Sequence, residues 1–318
     1  MGKNETPHIP VFEVVTLALC PKSHLDRFCG HYIDQGASRV RVFHDGLTNL
    51  SFADPRIELT SCDDPFWQRL GIARPFSVEA RQRAVFAHAY AQCHADWCLV
   101  VDVDEQVFGP QPLDSYLASI GPQPSCVRFL TAEAVFAPQD DPDREFGAGA
   151  FRLPVPKYAA PFLSALLYRE LAGLFVRGML GHARGKQAIR AGLGPIDIGI
   201  HDVFDPSEDF IRFDASTADN FWLAHYDAIS FPLWQDKCRQ RIERQDALEI
   251  GRKRERQLDL FSRCAGVGQQ RRLFQRLYGL SNWQIAILRR LGLIKQQRPV
   301  LWEGPDYPVR QTAPANSA

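Results

Sequence analysis

The chain has 318 residues, with 37 Lys and Arg balanced by 37 Asp and Glu, and is 45% hydrophobic and 23% charged. This is the composition of an ordinary soluble globular protein, long enough to bury one large core or a core with an extension. Zero net charge gives no reason to expect a nucleic-acid partner. The eight cysteines form no Cys-x-x-Cys pair and no compact framework, so they read as reduced, buried thiols. No basic segment followed by an apolar one opens the chain. The most apolar long window, 158–180, carries Arg169, Glu170 and Arg177, which argues against a membrane span. The expected compartment is cytoplasmic.

In chain order, 12–19 reads as a strand and 24–35 as a helix stopped by Gly36. A strand at 40–43 ends in the turn signature His44-Asp45-Gly46. A short strand at 56–59, a helix at 77–93 and a buried strand at 97–103 follow. This alternation predicts an α/β protein with a mostly parallel sheet flanked by helices. Further strands are expected at 126–130, 135–136 and 223–226. The segment 138–149, with Asp140, Asp141, Asp143 and Glu145, reads as a long irregular loop of the kind that binds or covers ligands. The window 158–180 reads as a helix, and Lys186 and Arg190 are expected four apart on one helical face. From 233 onward the pattern is helical and basic: 16 Lys and Arg stand against 5 Asp and Glu between positions 237 and 298. That excess reads as solvated helix faces or as a dock on an anionic membrane or a phosphate-bearing acceptor. The last fifteen residues read as a flexible tail.

The most informative stretch is Val100-Val101-Asp102-Val103-Asp104-Glu105. An apolar run ends in three acids at a strand's carboxyl end, where ligands bind in open α/β sheets. In a continuing strand Asp102 and Asp104 would point to the same side. Two carboxylates about 4 Å apart repel by about 4 kcal/mol at an effective dielectric near 20. A divalent cation, a shared proton or a basic partner must offset this. The cation is the sharpest reading, because hard oxygen ligands suit Mg²⁺ or Mn²⁺; the bland one is a solvated acidic turn. His88, Cys93, His94 and Cys98 could be drawn as a zinc site, but they span a helix end and a strand start and would diverge. No G-x-x-x-x-G-K-[ST] loop and no G-x-S-x-G elbow is present.

Several of these residues together resemble a family. His31-Tyr32, Gly36, Asp45-Gly46, Gln82 and Trp97 with Asp102, Asp104 and Glu105 resemble the glycosyltransferase family 2 group with a GT-A (Rossmann-like) fold. The resemblance is closest to the branch that shares features with family 92 glycosyltransferases. It continues through Gly185-Lys186 to Arg190, Ile200-His201, and His225-Tyr226 with Ser230 and Lys237, covering residues 11–240. The chain departs from the family where Lys-Asn-Glu is replaced by Leu19-Cys20-Pro21 and an acid of the next helix by Arg27.

The resemblance implies a GT-A-like domain over 8–235, a basic helical extension over 236–300 and a tail over 301–318. It implies transfer of a sugar from a nucleotide-diphosphate donor to the hydroxyl of a glycan or other acceptor, in polysaccharide or surface glycan synthesis. The extension at 237–298 would then touch the cytoplasmic membrane face. Asp102 and Asp104 would hold Mn²⁺ or Mg²⁺ with His225, or His201 in its place. Asp45, Gln82, Asp102, Lys186 and Arg190 would bind the donor. Glu105, Glu145, Asp202 and Asp205 are the candidates for a catalytic base. Two other readings stand beside this one. The altered Leu19-Cys20-Pro21 rim suits a non-catalytic GT-A-like protein that binds a glycan or nucleotide sugar. A metal-dependent nucleotidyltransferase shares the sheet and carboxylates but lacks support from a glycine-rich loop after the first strand.

Overall fold

The computed structural model describes residues 12–206, 211–243 and 251–296. The first half runs β1 (Phe12–Ala18), α1 (Lys22–Asp34), β2 (Arg39–His44), β3 (Ile57–Ser61), α2 (Asp64–Arg69), α3 (Val78–Ala91), β4 (Trp97–Val100) and β5 (Glu105–Phe108). It continues with α4 (Leu113–Ala118), β6 (Cys126–Val135), β7 (Ala150–Arg152), α5 (Ala160–Tyr168) and a 3₁₀-helix (Arg169–Leu174). Then come β8 (Lys186–Arg190), β9 (Asp197–Ile198), β10 (Val203–Asp205), β11 (Ile211–Arg212) and β12 (Ala215–His225). The chain closes with α6 (Phe231–Glu243), α7 (Arg252–Ser262), α8 (Val267–Tyr278), α9 (Asn282–Arg290) and β13 (Ile294–Gln296).

The expected α/β sheet is present. Strands β3, β2, β1 and β4 lie side by side and parallel, as the alternation of strands and helices predicts. Successive residues of β1 serve opposite faces. Val14 joins Leu25, Phe28 and Tyr32 of α1 and Leu113 and Leu117 of α4 in one apolar cluster. Val15 joins Val85, Phe86 and Ala89 of α3 in another. The sheet extends past β4 through β8, β6, β7 and β13, each antiparallel to its predecessor. β12 runs parallel to β6 and carries β5 antiparallel on its other edge.

A third cluster gathers Phe136, Phe151, Trp222 and Tyr226 with Trp234 and Cys238 of α6, Phe261 of α7, Phe274 of α8 and Leu288 of α9. The domain boundary expected at 235/236 therefore falls inside α6, whose buried face bridges it. The tail at 301–318 lies outside the described residues. No helix among them is long and apolar enough to cross a membrane.

Four local expectations are corrected. The strand expected over 97–103 stops at Val100, because Asp102 and Glu105 close a turn. The strands expected at 126–130 and 135–136 are one. The helix expected over 158–180 breaks at Arg169, whose φ is +50°, and continues as a 3₁₀ turn. Residues 186–190 form a strand, not a helix. A spacing of four fits both periods, and Ala188 and Ile189 reach opposite faces of the sheet.

Gly185 aims β8 at the centre of the sheet. Its φ is +75°, and a Cβ there would lie 1.8 Å from the Phe129 carbonyl oxygen. Gly185→Ala is expected to destabilise the protein by about 3 kcal/mol or more, since backbone strain and overlap add. A lowered melting temperature in circular dichroism checks this.

Candidate metal centre

The turn after β4 builds the site. The Glu105 amide donates to the Asp102 carbonyl at 3.0 Å, and the Asp102 amide donates to Glu105 Oε2 at 2.9 Å. Glu105 is fully buried, and its other oxygen, Oε1, has no hydrogen-bond partner. Pairing of β12 with β5 sets His225 opposite Glu105, and pairing with β6 sets it opposite Glu133. Laterally paired residues share a face, so Glu133, His225 and Glu105 form one row. His225 Nδ1 is likewise buried and without a partner.

His182 completes the group. Its Nε2 lies 3.7 Å from Glu105 Oε1, and its ring stacks on His225 with centroids 5.3 Å apart. Thr131 Oγ1 lies 3.4 Å from Nδ1. With the Nδ1 proton donated to that hydroxyl, Nε2 presents its lone pair to the carboxylate. Among the described residues, Glu105, His182 and His225 alone bring three such ligand atoms within 4.8 Å of one another.

The loop bearing His182 is held from behind. Leu180 and Gly181 amides donate to Glu133, the latter at 2.6 Å to Oε1. Glu133 is in turn gripped by Arg152, whose Nε donates to Oε2 at 2.7 Å and whose Nη2 donates to the same oxygen. Both side chains are buried. At Gly181 an added Cβ would lie 3.2 Å from Glu133 Oε1 and 3.3 Å from His225 Cε1. Glycine permits this close approach.

Lys186 supplies the centre's own cation. Its Nζ donates to Asp102 Oδ2 at 2.8 Å and lies 3.7 Å from Glu105 Oε2. Gln82 Nε2 donates to the other Asp102 oxygen at 2.6 Å. Burial opposes the lysine charge, but the Asp102 and Glu105 carboxylates outweigh it and hold Lys186 above the ordinary lysine range. At Asp102 burial is likewise outweighed by Lys186, which holds its pKa below the usual carboxylate value. Glu105 goes the other way: burial, only partly offset by Lys186, pushes it up to about 7. His182 is pushed well below an ordinary histidine by burial and by the facing His225, so it is neutral and able to ligate.

Of the expected metal ligands, His225 lies in the cluster. Asp102 is engaged by Lys186 and Gln82, and Asp104 points to Lys237 Nζ at 3.9 Å. The reason is the turn, which ends the strand and sets Glu105, not Asp102 or Asp104, against the two histidines. His201 stacks on His182 with centroids 3.9 Å apart, its Nδ1 3.2 Å from the Gly185 carbonyl. It backs the cluster without joining it. His88, Cys93, His94 and Cys98 form no such group among the described residues.

Of the expected donor residues, Gln82, Asp102 and Lys186 converge. Asp45 sits at the carboxyl end of β2, two strands from β4 and thus roughly 10 Å away. Both its oxygens are held, by Arg74 at 2.9 Å and Arg81 at 3.0 Å. Arg190 does not converge with them: it lies at the far end of β8 opposite Trp97, over whose ring its guanidinium lies 4.1 Å from the centroid.

Among the base candidates, Glu105 belongs to the cluster. Asp202 is committed to Arg128 at 2.6 Å, Arg184 at 3.2 Å and Arg212 at 3.5 Å. Asp205 closes β10 in the separate three-stranded sheet. Glu145 is about half exposed and pairs with His24 Nε2 at 2.8 Å. In the basic region, Lys237 and Arg254 turn inward to Asp227, at 3.4 and 3.0 Å. His182, Glu133 and Arg152 escaped the sequence reading. The run Gly178, Gly181-His182, Gly185 is the signal that was there to find.

Three outcomes are expected, two of Mn²⁺ titrations followed by calorimetry and one of thermal melts across pH. Metal binding needs ionised Glu105, so affinity should fall about tenfold per pH unit below about 7 and level off above it. By the same linkage the metal-free protein loses stability as pH rises from the ordinary carboxyl value towards about 7, where Glu105 ionises, and Mn²⁺ offsets this loss. Gly181→Ala, which pushes the His182 loop off its support, should weaken Mn²⁺ binding by about tenfold or more.

No family model and no curated protein matches the chain. Among solved structures it is similar to a mycobacterial protein at 20% identity and a TM-score of 0.28, over 57% of this chain and 53% of that one. The match thus spans about half the length of that protein. It is also similar to the mannosyltransferase PcManGT from Pyrobaculum calidifontis, solved in complex with GDP-Man and Mn²⁺. That likeness has 11% identity and a TM-score of 0.35, over 90% of this chain and 80% of that one. At these values neither likeness assigns a role to any residue.

Proposed function

We propose that the protein is a metal-dependent glycosyltransferase that moves a sugar from a nucleotide-diphosphate donor to an acceptor hydroxyl. The observation that carries this reading is the Glu105–His182–His225 cluster, with two buried ligand atoms lacking partners, at the carboxyl end of the parallel strands. Beside it stand Asp102, Gln82 and Lys186, residues of the motifs that resemble the family 2 group. One carboxylate and two imidazoles suit Mn²⁺ as a donor set, and Mg²⁺ less well. A cation held there would supply Lewis-acid stabilisation to a departing diphosphate.

The chain's own residues do the rest. Lys186 presents a fixed positive charge in a desolvated site, where it costs no reorganisation as negative charge develops on the leaving group. Asp102 positions that ammonium, and Gln82 holds Asp102. Asp45, two strands from β4 and ion-paired with Arg74 and Arg81, is the residue we assign to the nucleoside. Glu145, half exposed on the 138–149 segment and bonded to His24, is the base we assign to the acceptor hydroxyl.

A second reading, a non-catalytic binder of nucleotide sugars, is favoured by one observation. Leu19, at the tip of β1 beside the site, is 68% exposed, where a polar rim residue would serve a donor better. The two readings separate in one experiment. Under the first, Mn²⁺ binds the wild type, and Glu105→Gln and His225→Ala each lower its affinity at least about 100-fold. A panel of nucleotide sugars then shows slow, Mn²⁺-dependent donor hydrolysis that Lys186→Met abolishes. Metal and nucleotide binding without turnover of any donor selects the second. Absence of Mn²⁺ binding overturns both.

A further inference from the structure

Helix α1 buries a basic stripe. His24, Arg27 and His31 follow one another at spacings of three and four, all buried, and so share one helical face. Apolar residues are the ordinary content of a buried face, and the adjoining one has them in Leu25, Phe28, Cys29 and Tyr32. Two members of the stripe are satisfied. His24 Nε2 lies 2.8 Å from Glu145 Oε2, and His31 Nε2 lies 2.9 Å from the Val107 carbonyl.

Arg27 is not satisfied. Its Nε, Nη1 and Nη2 are all buried, and none has a hydrogen-bond partner of normal geometry. The guanidinium lies between two rings, 3.9 Å from the centroid of Phe146 and 4.7 Å from that of Tyr226. Burial lowers its hold on the proton below that of an ordinary arginine, against the favourable pull of the Tyr226 phenol and the Asp104 carboxylate. Apart from the nearby Tyr226 hydroxyl, the five donors of this charged group face no acceptor, and that fork matches an oxyanion bidentately.

The cover over Arg27 is itself strained. Phe146 holds φ at +53°, a left-handed conformation that bulky side chains rarely adopt. Its segment is tied to α1 through the half-exposed Glu145. Tyr226 directly follows His225, so this stripe adjoins the β12 flank of the centre. In the order of strands, Asp45 on β2 lies on the other side of β4.

We propose that Arg27, uncovered when Phe146 swings aside, binds an anionic group of the acceptor, either a carboxylate or a phosphate monoester. This rests on the transferase reading above in calling the bound molecule an acceptor. The anion site itself does not depend on the metal.

The test uses the full chain without metal. Inorganic phosphate and acetate are titrated separately while melting temperature is followed in wild type, Arg27→Met and Arg27→Lys. One anion should stabilise the wild type saturably, with at least a tenfold weaker response in Arg27→Met and an intermediate one in Arg27→Lys. Phosphate as the effective anion identifies a phosphorylated acceptor, and acetate a carboxylated one. No saturable response, or an equal one in Arg27→Met, overturns the proposal. Mn²⁺ affinity is measured on the same samples. Retained in Arg27→Met, it certifies the fold and separates failure here from failure of the metal centre. Should Arg27→Met not fold, the Arg27 Nε–H resonance of the ¹⁵N-arginine-labelled wild type, assigned with Arg27→Lys, decides. A shift on adding either anion supports the site, and an unmoved resonance overturns it.

Discussion

The paired hydrogen bonds between Asp102 and Glu105 end β4, reverse the chain and begin β5 within a single tight turn. Everything at the carboxyl edge of the sheet is referred to that turn. It consumes one oxygen of Glu105 and leaves the other facing two histidines. It also lifts Asp102 out of the strand, where Lys186 and Gln82 meet it from opposite sides. Had the strand run on, Asp102 and Asp104 would share a face and Glu105 would point away from it. One backbone reversal therefore chooses which acid of the three faces the imidazoles.

The surrounding charges are arranged in two layers. Next to the open ligand atoms stand Lys186 and Asp102, which neutralise one another and set the local field. Behind them Glu133 and Arg152 form a pair with almost no solvent exposure. Such a pair adds little net stability, since desolvation offsets much of its attraction. Its contribution is positional. Glu133 satisfies two loop amides that would otherwise be buried unpaired, and so fixes the height at which His182 enters the site. Asp227 plays the matching part on the helical side, drawing Lys237, Arg254 and the Tyr278 hydroxyl inward. Part of the basic excess of the carboxyl-terminal region is thereby internal rather than solvated.

The parallel half of the sheet was legible in the sequence because its signals are local. Apolar runs separated by amphipathic segments and turn residues placed β1, α1, β2, α3 and β4 within a few residues of their observed bounds. The convergence of Gln82, Asp102 and Lys186, and the place of His225, were legible through motif resemblance. The rest depends on contacts between distant segments, which no window of sequence contains. A spacing of four between Lys186 and Arg190 is equally a helical and a strand period, and only the antiparallel entry of β8 decides between them. Asp102-Val103-Asp104 looks like a ligand pair until the Glu105 side chain is seen to cap its own turn. His182 lies in a glycine-rich connection without periodicity, so nothing local marks it as facing Glu105. Asp202 looks available until three arginines from β6, β11 and the segment before β8 close on it.

The antiparallel entry of β8 between β4 and β6 also has a bearing on how the molecule is made. Glu105, His182 and His225 come from the first, second and last thirds of the sheet's chain, and β12 is the final strand to contribute. A nascent polypeptide that has emerged only through β8 already holds the acids, the lysine and one imidazole. It still lacks the strand that lines up the row across β5 and β6. Until β12 docks, β5 has no strand to pair with, and the acidic turn hangs from β4 alone. The centre is therefore completed only once β12 is made, and a cation captured there ties that strand to the turn at the middle of the sheet.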